Sequence, residues 1–428
     1  MRCQTALECI ARLPLPAHGG RVFVHGACAT PHRLLAALVE SAERFRGLEL
    51  IHLHTHGPAR YAARDMHRHF RVANLFVAPN MRHQLDGEAV EYLPRFLSEI
   101  PALFRSRRRP LDAALLHLSP PDAHGYCTLG MSVDVALAAA ESAPHVVAEI
   151  NRQMPRVHGA GVIHLSRLDA YVEVDEPIDQ VAPSLANPIH DEIARYVAQR
   201  IEDGATLQMG IGAVPDAVLR ALGGHRHLGI HTEMFSDGVV DLIATGAVDN
   251  SRKTILRGQT TASFVMGSRR LIDFVDDNPA VTLHCASFVN DTRTIRKNPK
   301  VVAINSAVEL DLTGQICADS VGARIISGVG GQMDFMRGAS LSEGGKPIIA
   351  LTARTDKGHP RIVPELASGA GVVTTRGHVH YVATEYGIVD LYGKTLGERA
   401  RALISVAHPD DREGLARAWT DRLRRATH

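Results

Sequence analysis

Glu233 is the side chain in this 428-residue sequence whose type and setting best suit covalent chemistry. It lies in residues 229–242, where we predict that a short strand ends just before an Asp-Gly turn. A glutamate carboxyl group ordinarily has a pKa of about 4.3, so at neutral pH it is ionised and can attack an acyl carbon without a general base. A helix-capping or surface role is the default for any single glutamate, and that alternative stays open here.

Two glycines precede Glu233 in a segment that could bind an anion. Residues 206–209 predict a strand that runs into Gly210, and Pro215 suits the first turn of a following helix. A glycine-rich turn between a strand and a helix exposes backbone N–H groups at the positive end of the helix. The segment could therefore hold an anion or a developing oxyanion, although the motif alone is weak.

The same spacing also fits a dinucleotide-binding fingerprint. Glu233 lies about twenty residues after the glycines, where such folds place a ribose-binding carboxylate. Pro215 stands where the third glycine is expected. This substitution disfavours a nicotinamide cofactor without excluding it.

A second glycine cluster, Gly328, Gly330 and Gly331, follows residues 323–326. Glycines spaced this closely let a backbone approach a ligand or another backbone. A tight turn explains the cluster equally well.

Three histidines, His52, His54 and His56, alternate and would share one face of a strand, as the ligands of a metal ion could. Same-face positions on a strand are roughly 6–7 Å apart, which is too far for three side chains to reach one ion without bending. No carboxylate nearby completes the set. We therefore predict no metal site.

Alternating strand and helix patterns position these side chains. Apolar runs predict strands at residues 22–25, 50–53, 113–118, 146–150, 206–209, 280–285, 301–304 and 347–351. Helical patterns occupy residues 31–40, 92–104, 133–143, 188–203, 215–222 and 397–426. Such alternation is typical of parallel sheets with crossover helices.

A stretch with three prolines, residues 172–188, predicts the domain boundary. We expect a first domain at residues 1–182 and a second at residues 183–428. The predicted fold is α/β, with two open, mostly parallel-sheet domains of similar architecture and the active site in the cleft between them.

Composition limits the classes of partner. The 47 Lys and Arg residues nearly cancel the 46 Asp and Glu residues, so the overall charge favours neither nucleic acid nor a membrane surface as a partner. The N-terminus lacks the apolar core of a signal peptide, and we expect a soluble, cytoplasmic protein. Six scattered cysteines without a CxxC pair suit reduced core thiols.

Both glycine segments and Glu233 belong to a wider pattern of motifs that covers nearly the whole chain. Two of its motifs are His-Thr-Glu-Met-Phe-Ser-Asp-Gly from residue 231 and Gly-Val-Gly-Gly-Gln-Met-Asp-Phe from residue 328. Further matching segments lie at residues 96–104, 119–127, 154–159, 305–315, 369–376 and 385–404. In this combination the sequence resembles the acetyl-CoA hydrolase/transferase family, and within it the 4-hydroxybutyrate CoA-transferase and butyryl-CoA:acetate CoA-transferase group.

The resemblance implies roles for particular residues. Glu233 corresponds to the acyl-accepting glutamate of the family. The residues implied to contact coenzyme A (CoA) or to frame the oxyanion are Gly210, Ile211, Gly212, Ala213, Val214, Asn305, Val308, Gly330, Gly331 and Lys357. His359 and Pro360 replace the small polar residues usual in the family, and residues 79–86 also depart from its common pattern.

The implied activity is transfer of CoA between short-chain carboxylic acids through a covalent intermediate on Glu233. CoA serves as co-substrate, no cofactor is bound permanently, and a homodimer is implied. Two alternatives remain: an acyl-CoA hydrolase that uses the same glutamate, and a non-catalytic protein that binds CoA or a nucleotide. The acid is left open among acetate, butyrate, 4-hydroxybutyrate and a dicarboxylate such as itaconate.

Overall fold

The computed structural model describes residues 1–210 and 212–426, which form two compact units. The first unit comprises Met1–Ala182, Gln259–Val289 and Ile326–Gly330. The second comprises Pro183–Gly258, Asn290–Ile325 and Gly331–His428. The chain therefore passes from the first unit to the second between Gly330 and Gly331.

An eight-stranded, wholly parallel sheet organises the first unit. In spatial order its strands are Arg2–Cys3, Ala170–Val174, His145–Asn151, Ala113–Leu118, Arg21–Val24, Leu48–His52, Phe70–Asn74 and Val90–Tyr92. The α-helices of this unit are Ala6–Arg12, His32–Glu40, Ile100–Arg105, Ala136–Ser142, Arg269–Val275 and Ala286–Val289. The central strand Ala113–Leu118 is buried at all six positions, as expected for a sheet covered on both faces.

Segments distant in sequence complete the first unit. Thr260–Ala262, Val281–Leu283 and His158–Gly159 form a smaller three-stranded parallel sheet. Tyr126–Thr128 pairs antiparallel with Val162–His164. The later part of the chain thus supplies two of the three strands of the smaller sheet.

A six-stranded sheet organises the second unit, with only its last pair antiparallel. Its strands in spatial order are Gly229–Ile230, Thr206–Met209, Val301–Asn305, Lys346–Ala350, Tyr381–Thr384 and Gly387–Asp390. Shorter strands are Met234–Phe235, Glu309–Asp311, Ile316–Cys317, Ser320–Val321, Arg324–Ile325 and Ile362–Val363. The helices are Pro188–Ala198, Ala213–Ala221, Asp237–Ala244, Thr292–Ile295, Gln332–Leu341, Leu396–Ser405 and Pro409–Ala426.

This architecture confirms the predicted fold class of two open, mostly parallel α/β sheets, and the structure corrects three local predictions. The helix expected at residues 92–104 is shorter, because the strand Val90–Tyr92 ends at its start and Pro94 disfavours helix in the preceding residue. Asp237 and Gly238 begin a helix instead of forming a turn. The C-terminal helix is two helices, with a break before Pro409.

Two buried ionisable side chains form hydrogen bonds with backbone groups around them. Glu149 accepts a hydrogen bond from the Leu34 N–H at 2.7 Å, near the start of the helix His32–Glu40, and burial raises the pKa of Glu149 to about 7. The buried guanidinium of Arg399 donates to the carbonyl oxygens of Thr313 and Arg376, at 2.9 and 2.7 Å.

All six cysteines are buried, as predicted for core residues. In the described part of the chain, no helix combines the length and apolar character needed to cross a bilayer.

Candidate active site

Glu233 lies between the short strands Gly229–Ile230 and Met234–Phe235, and its side chain is half-buried. The neighbouring Thr232 is fully buried and anchors this segment. Its hydroxyl accepts a hydrogen bond from the Met209 N–H at 3.2 Å and donates to the Met234 carbonyl oxygen at 2.9 Å. The backbone of Glu233 is thereby tied to the strand that leads into Gly210.

Asn290 holds the Glu233 carboxylate, and no sequence pattern indicates this role. Its Nδ2 donates a hydrogen bond to Oε2 of Glu233 at 2.9 Å and lies 3.5 Å from Oδ2 of Asp334. Asn290 is completely buried, so the donor stands in a low-dielectric setting where a hydrogen bond to a carboxylate is strong. Its sequence neighbours carry no motif that distinguishes it from an ordinary polar residue before a helix.

Gly331 provides the space that Glu233 and Asn290 occupy. A Cβ at this position would overlap both Oε2 of Glu233 and Nδ2 of Asn290. The backbone of Gly331 has φ −98° and ψ 5°, which other residues also adopt, so the glycine is required for space and not for its backbone conformation. Of the two explanations that the sequence left open for this cluster, close approach applies at Gly331, where the neighbour is the candidate nucleophile.

The preceding glycines, Gly328 and Gly330, belong to the first unit and pack against Phe76. A Cβ on Gly328 would lie 2.8 Å from the Phe76 ring, and Gly330 has φ +55°. The N–H of Val329 donates to the Tyr92 hydroxyl at 2.8 Å. Close packing against Phe76 within the first unit therefore explains the glycines at positions 328 and 330.

The first glycine segment stands at the carboxyl end of the strand Thr206–Met209. The Gly210 N–H donates to the Ile304 carbonyl oxygen at 2.9 Å, and Gly212 has φ +116° just before the helix Ala213–Ala221. Val214 is buried in the first turn of that helix and Ala213 is half-buried. Ile211 lies outside the described residues, and the CoA-binding role of this segment stays a prediction.

Asn305 lies next to that segment, whereas Val308 and Lys357 lie elsewhere in the second unit. Asn305 ends the neighbouring strand, and its side-chain amide exchanges hydrogen bonds with Gln208 at 2.9 and 3.3 Å. The Val308 N–H donates to the Cys317 carbonyl oxygen. Lys357 is exposed on a tight turn whose ends are joined by the hydrogen bond from Thr355 N–H to the His359 carbonyl oxygen.

Two of the alternating histidines, His52 and His54, are buried ring contacts of the first unit, whereas His56 is half-buried with its Nδ1 3.8 Å from the Asp179 carboxylate. Burial lowers the pKa of both His52 and His54 to about 4, so they are neutral at pH 7. His52 bonds the Tyr61 hydroxyl at 3.1 Å, and His54 lies against Phe76 and Phe264. Across the described residues, no three His, Cys, Asp or Glu side chains converge as metal ligands would.

Comparison with known proteins identifies the family. Residues 7–183 match the acetyl-CoA hydrolase/transferase N-terminal domain, and residues 267–419 match the C-terminal domain of the same name. The succinyl-CoA:acetate/propanoyl-CoA:succinate CoA transferase of Fasciola hepatica is 49% identical over 411 residues, which cover 95% of this chain and 86% of that protein. The chain belongs to the acetyl-CoA hydrolase/transferase family.

Other members of the acetyl-CoA hydrolase/transferase family are similar over nearly their whole length. The 4-hydroxybutyrate coenzyme A transferase of Clostridium kluyveri is 46% identical over 407 residues, covering 95% of each chain. The crystal structure of a 4-hydroxybutyrate CoA-transferase from Porphyromonas gingivalis superposes with a TM-score of 0.84 at 39% identity, covering 98% of this chain and 97% of that one. The resemblance seen in the sequence is thereby confirmed.

Proposed function

We propose that this protein is a CoA-transferase that exchanges CoA between a short-chain acyl-CoA and a free carboxylate through a glutamyl-CoA thioester on Glu233. The observation that carries the proposal is the Glu233 carboxylate, oriented by the buried Asn290 amide against the open face of Gly331. The relatives named above are CoA transferases, which supports transfer as the reaction type.

The first half of the reaction loads CoA onto the enzyme. A carboxylate oxygen of Glu233 attacks the thioester carbonyl carbon, and N–H groups of the glycine segments hold the resulting oxyanion. Collapse breaks the C–S bond and gives an acyl-glutamyl anhydride and the CoA thiolate. The thiolate then attacks the glutamyl carbonyl carbon, which releases the first acid and leaves the glutamyl-CoA thioester.

The second half repeats these steps in reverse with another acid. The incoming carboxylate attacks the glutamyl thioester, and the thiolate finally attacks the acyl carbon of the new anhydride, which regenerates Glu233. One thioester replaces another, so the exchange needs no ATP, and the two halves give ping-pong kinetics. Asn290 keeps the carboxyl group in one orientation through both halves, which limits the reorganisation needed at each attack.

The acyl-CoA substrates we propose are acetyl-, butyryl- or 4-hydroxybutyryl-CoA. CoA would lie along Gly210, Gly212, Val214, Asn305 and Val308, with Lys357 towards its phosphates. We further propose that the active form is a homodimer. Hydrolysis would use the same glutamate with water in place of the second acid, and the family name includes both reactions.

The test is intact-protein mass spectrometry after mixing with butyryl-CoA, with and without borohydride to trap the thioester. Glu233→Gln is the test variant, and the exposed Glu413→Gln is the matched control. We expect an adduct in the wild type and the control but not in Glu233→Gln, and faster CoA transfer to added acetate than release to water. Release to water alone would identify a hydrolase, and an adduct in Glu233→Gln would refute the assignment of the nucleophile.

A further inference from the structure

The side chain of Arg361 is half-buried, and few protein groups offset the positive charge of its guanidinium. Within the described part of the chain, the Arg361 side chain donates one hydrogen bond, from Nη1 to the Ala307 carbonyl oxygen at 3.3 Å. Among the described residues, no carboxylate stands within ion-pairing distance of the guanidinium, and Nε is buried with no hydrogen-bond partner. Asp356 and Glu385 are close enough to act on the charge but do not contact it.

A cation in this state is costly to keep. An arginine cannot lose its proton at physiological pH, so burial does not relieve the charge by deprotonation. Buried charges in proteins are ordinarily paired and hydrogen-bonded. An arginine that has five N–H donors and uses one of them on a carbonyl oxygen is therefore equipped to receive an anionic oxygen.

The position of Arg361 connects it to the candidate active site. Ala307 follows Asn305 and Ser306 directly after the strand Val301–Asn305, at the carboxyl edge of the sheet, where open α/β folds bind their ligands. The Ser306 carbonyl oxygen accepts a hydrogen bond from Nε2 of Gln332 at 2.9 Å. Gln332 in turn follows Gly331, the residue that borders the Glu233 carboxylate.

We propose that Arg361 binds an anionic oxygen of the substrates, either a phosphate of CoA or the carboxylate of the free acid. The proposal rests on the proposed function, because it assigns a partner within that site. Planar guanidinium groups bind both anions through paired N–H bonds. The anion would satisfy the donors that the protein leaves unused, and the Ala307 bond would fix the orientation of the side chain.

The test compares Arg361→Gln and Arg361→Lys with Arg417→Gln, which removes the same charge from an exposed helix position. Initial rates are measured with butyryl-CoA, butyryl-3′-dephospho-CoA and butyryl-pantetheine as donors, and acetate as acceptor. We expect Arg361→Gln to raise the KM for either butyryl-CoA or acetate by about 10- to 100-fold, with a smaller change in kcat. Arg361→Lys should have a KM between those of Arg361→Gln and the wild type. Arg417→Gln should behave as the wild type.

The donor series and the acceptor identify the anion. If Arg361→Gln raises the KM for butyryl-CoA above the wild-type value but not the KM for butyryl-3′-dephospho-CoA or butyryl-pantetheine, Arg361 binds a phosphate of CoA. If the substitution raises only the KM for acetate, Arg361 binds the carboxylate of the acid. Unchanged KM values, or an equal loss with every donor and acceptor, would overturn the proposal. Calorimetric CoA affinity of Glu233→Ala, with and without Arg361→Gln, gives a reading independent of turnover, so failure of the proposed reaction stays distinguishable from failure at Arg361.

Discussion

Replacing Gly331 by alanine should remove most of the activity by displacing the candidate nucleophile. The backbone angles of Gly331 are ordinary for alanine, so the substitution adds a methyl group without adding backbone strain. That methyl group would overlap the Glu233 carboxylate and the Asn290 amide that orients it. The carboxyl group must then retreat by more than about 1 Å to reach ordinary contact distance.

A displacement of about 1 Å in a reacting group costs about 100-fold in rate, or about 2.7 kcal/mol of barrier. We therefore expect kcat of Gly331→Ala to fall at least about 100-fold, together with the rate of glutamyl-CoA adduct formation measured by mass spectrometry. Gly223→Ala is the matched control, because a Cβ there would meet no atom of the described residues within 4 Å. A folded Gly331→Ala protein that keeps more than about a third of the wild-type kcat would refute the steric reasoning.

Three further substitutions test other parts of the structure. Asn290→Asp places a third carboxylate beside those of Glu233 and Asp334. Because like charges repel, we expect kcat/KM at pH 7 to fall about 10- to 100-fold and the loss to become smaller at lower pH. A pH–rate profile identical to that of the wild type would contradict this expectation. Burial raises the pKa of Glu149 to about 7, so the folded protein binds the carboxyl proton more tightly than the unfolded chain does. The contribution of Glu149 to the free energy of unfolding therefore declines as the pH rises from about 4.5 to about 7. The free energy of unfolding of Glu149→Gln should therefore rise relative to that of the wild type by up to about 3 kcal/mol as the pH rises through that window. Urea unfolding at pH 5 and pH 8 measures this difference, and a difference that does not change with pH would disprove the assignment. Arg399→Lys cannot reproduce the bonds to Thr313 and Arg376, so its free energy of unfolding should drop by about 2 kcal/mol while the exposed Arg401→Lys should stay near wild type.

The strands were predictable where apolar runs coincide with complete burial. Ala113–Leu118 and Thr206–Met209 match the predicted bounds, and both are buried at every position, as strands inside a covered parallel sheet are, although Thr206 and Gln208 are polar. The segment around Glu233 was harder to predict. An Asp-Gly pair usually indicates a turn, but here Gly238 lies in a helix. A Cβ at that position would stand 2.9 Å from the Leu219 side chain, so close packing explains the glycine.

The candidate site was predictable only for residues that carry a recognisable pattern. Glu233 and Gly331 stand in motifs of the family, and the structure brings them into contact. Asn290 lies 57 residues from Glu233, and a single buried amide leaves no periodicity or spacing in the sequence. Arg361 is similar, because the sequence does not show that its guanidinium has no carboxylate partner among the described residues.

The discontinuity of the first unit has a consequence for how the chain can fold during synthesis. All eight strands of its large sheet have been synthesised once Ala182 is made, but two strands of its smaller sheet lie in Gln259–Val289. The strand His158–Gly159 must therefore wait for Val281–Leu283 before its backbone groups are paired. At about 5–20 residues per second, this interval lasts roughly 6 to 25 seconds, during which an unpaired edge is exposed to other nascent chains. A gene fragment ending at residue 182 would leave that edge permanently open, so a single cut at the boundary cannot yield an intact first unit.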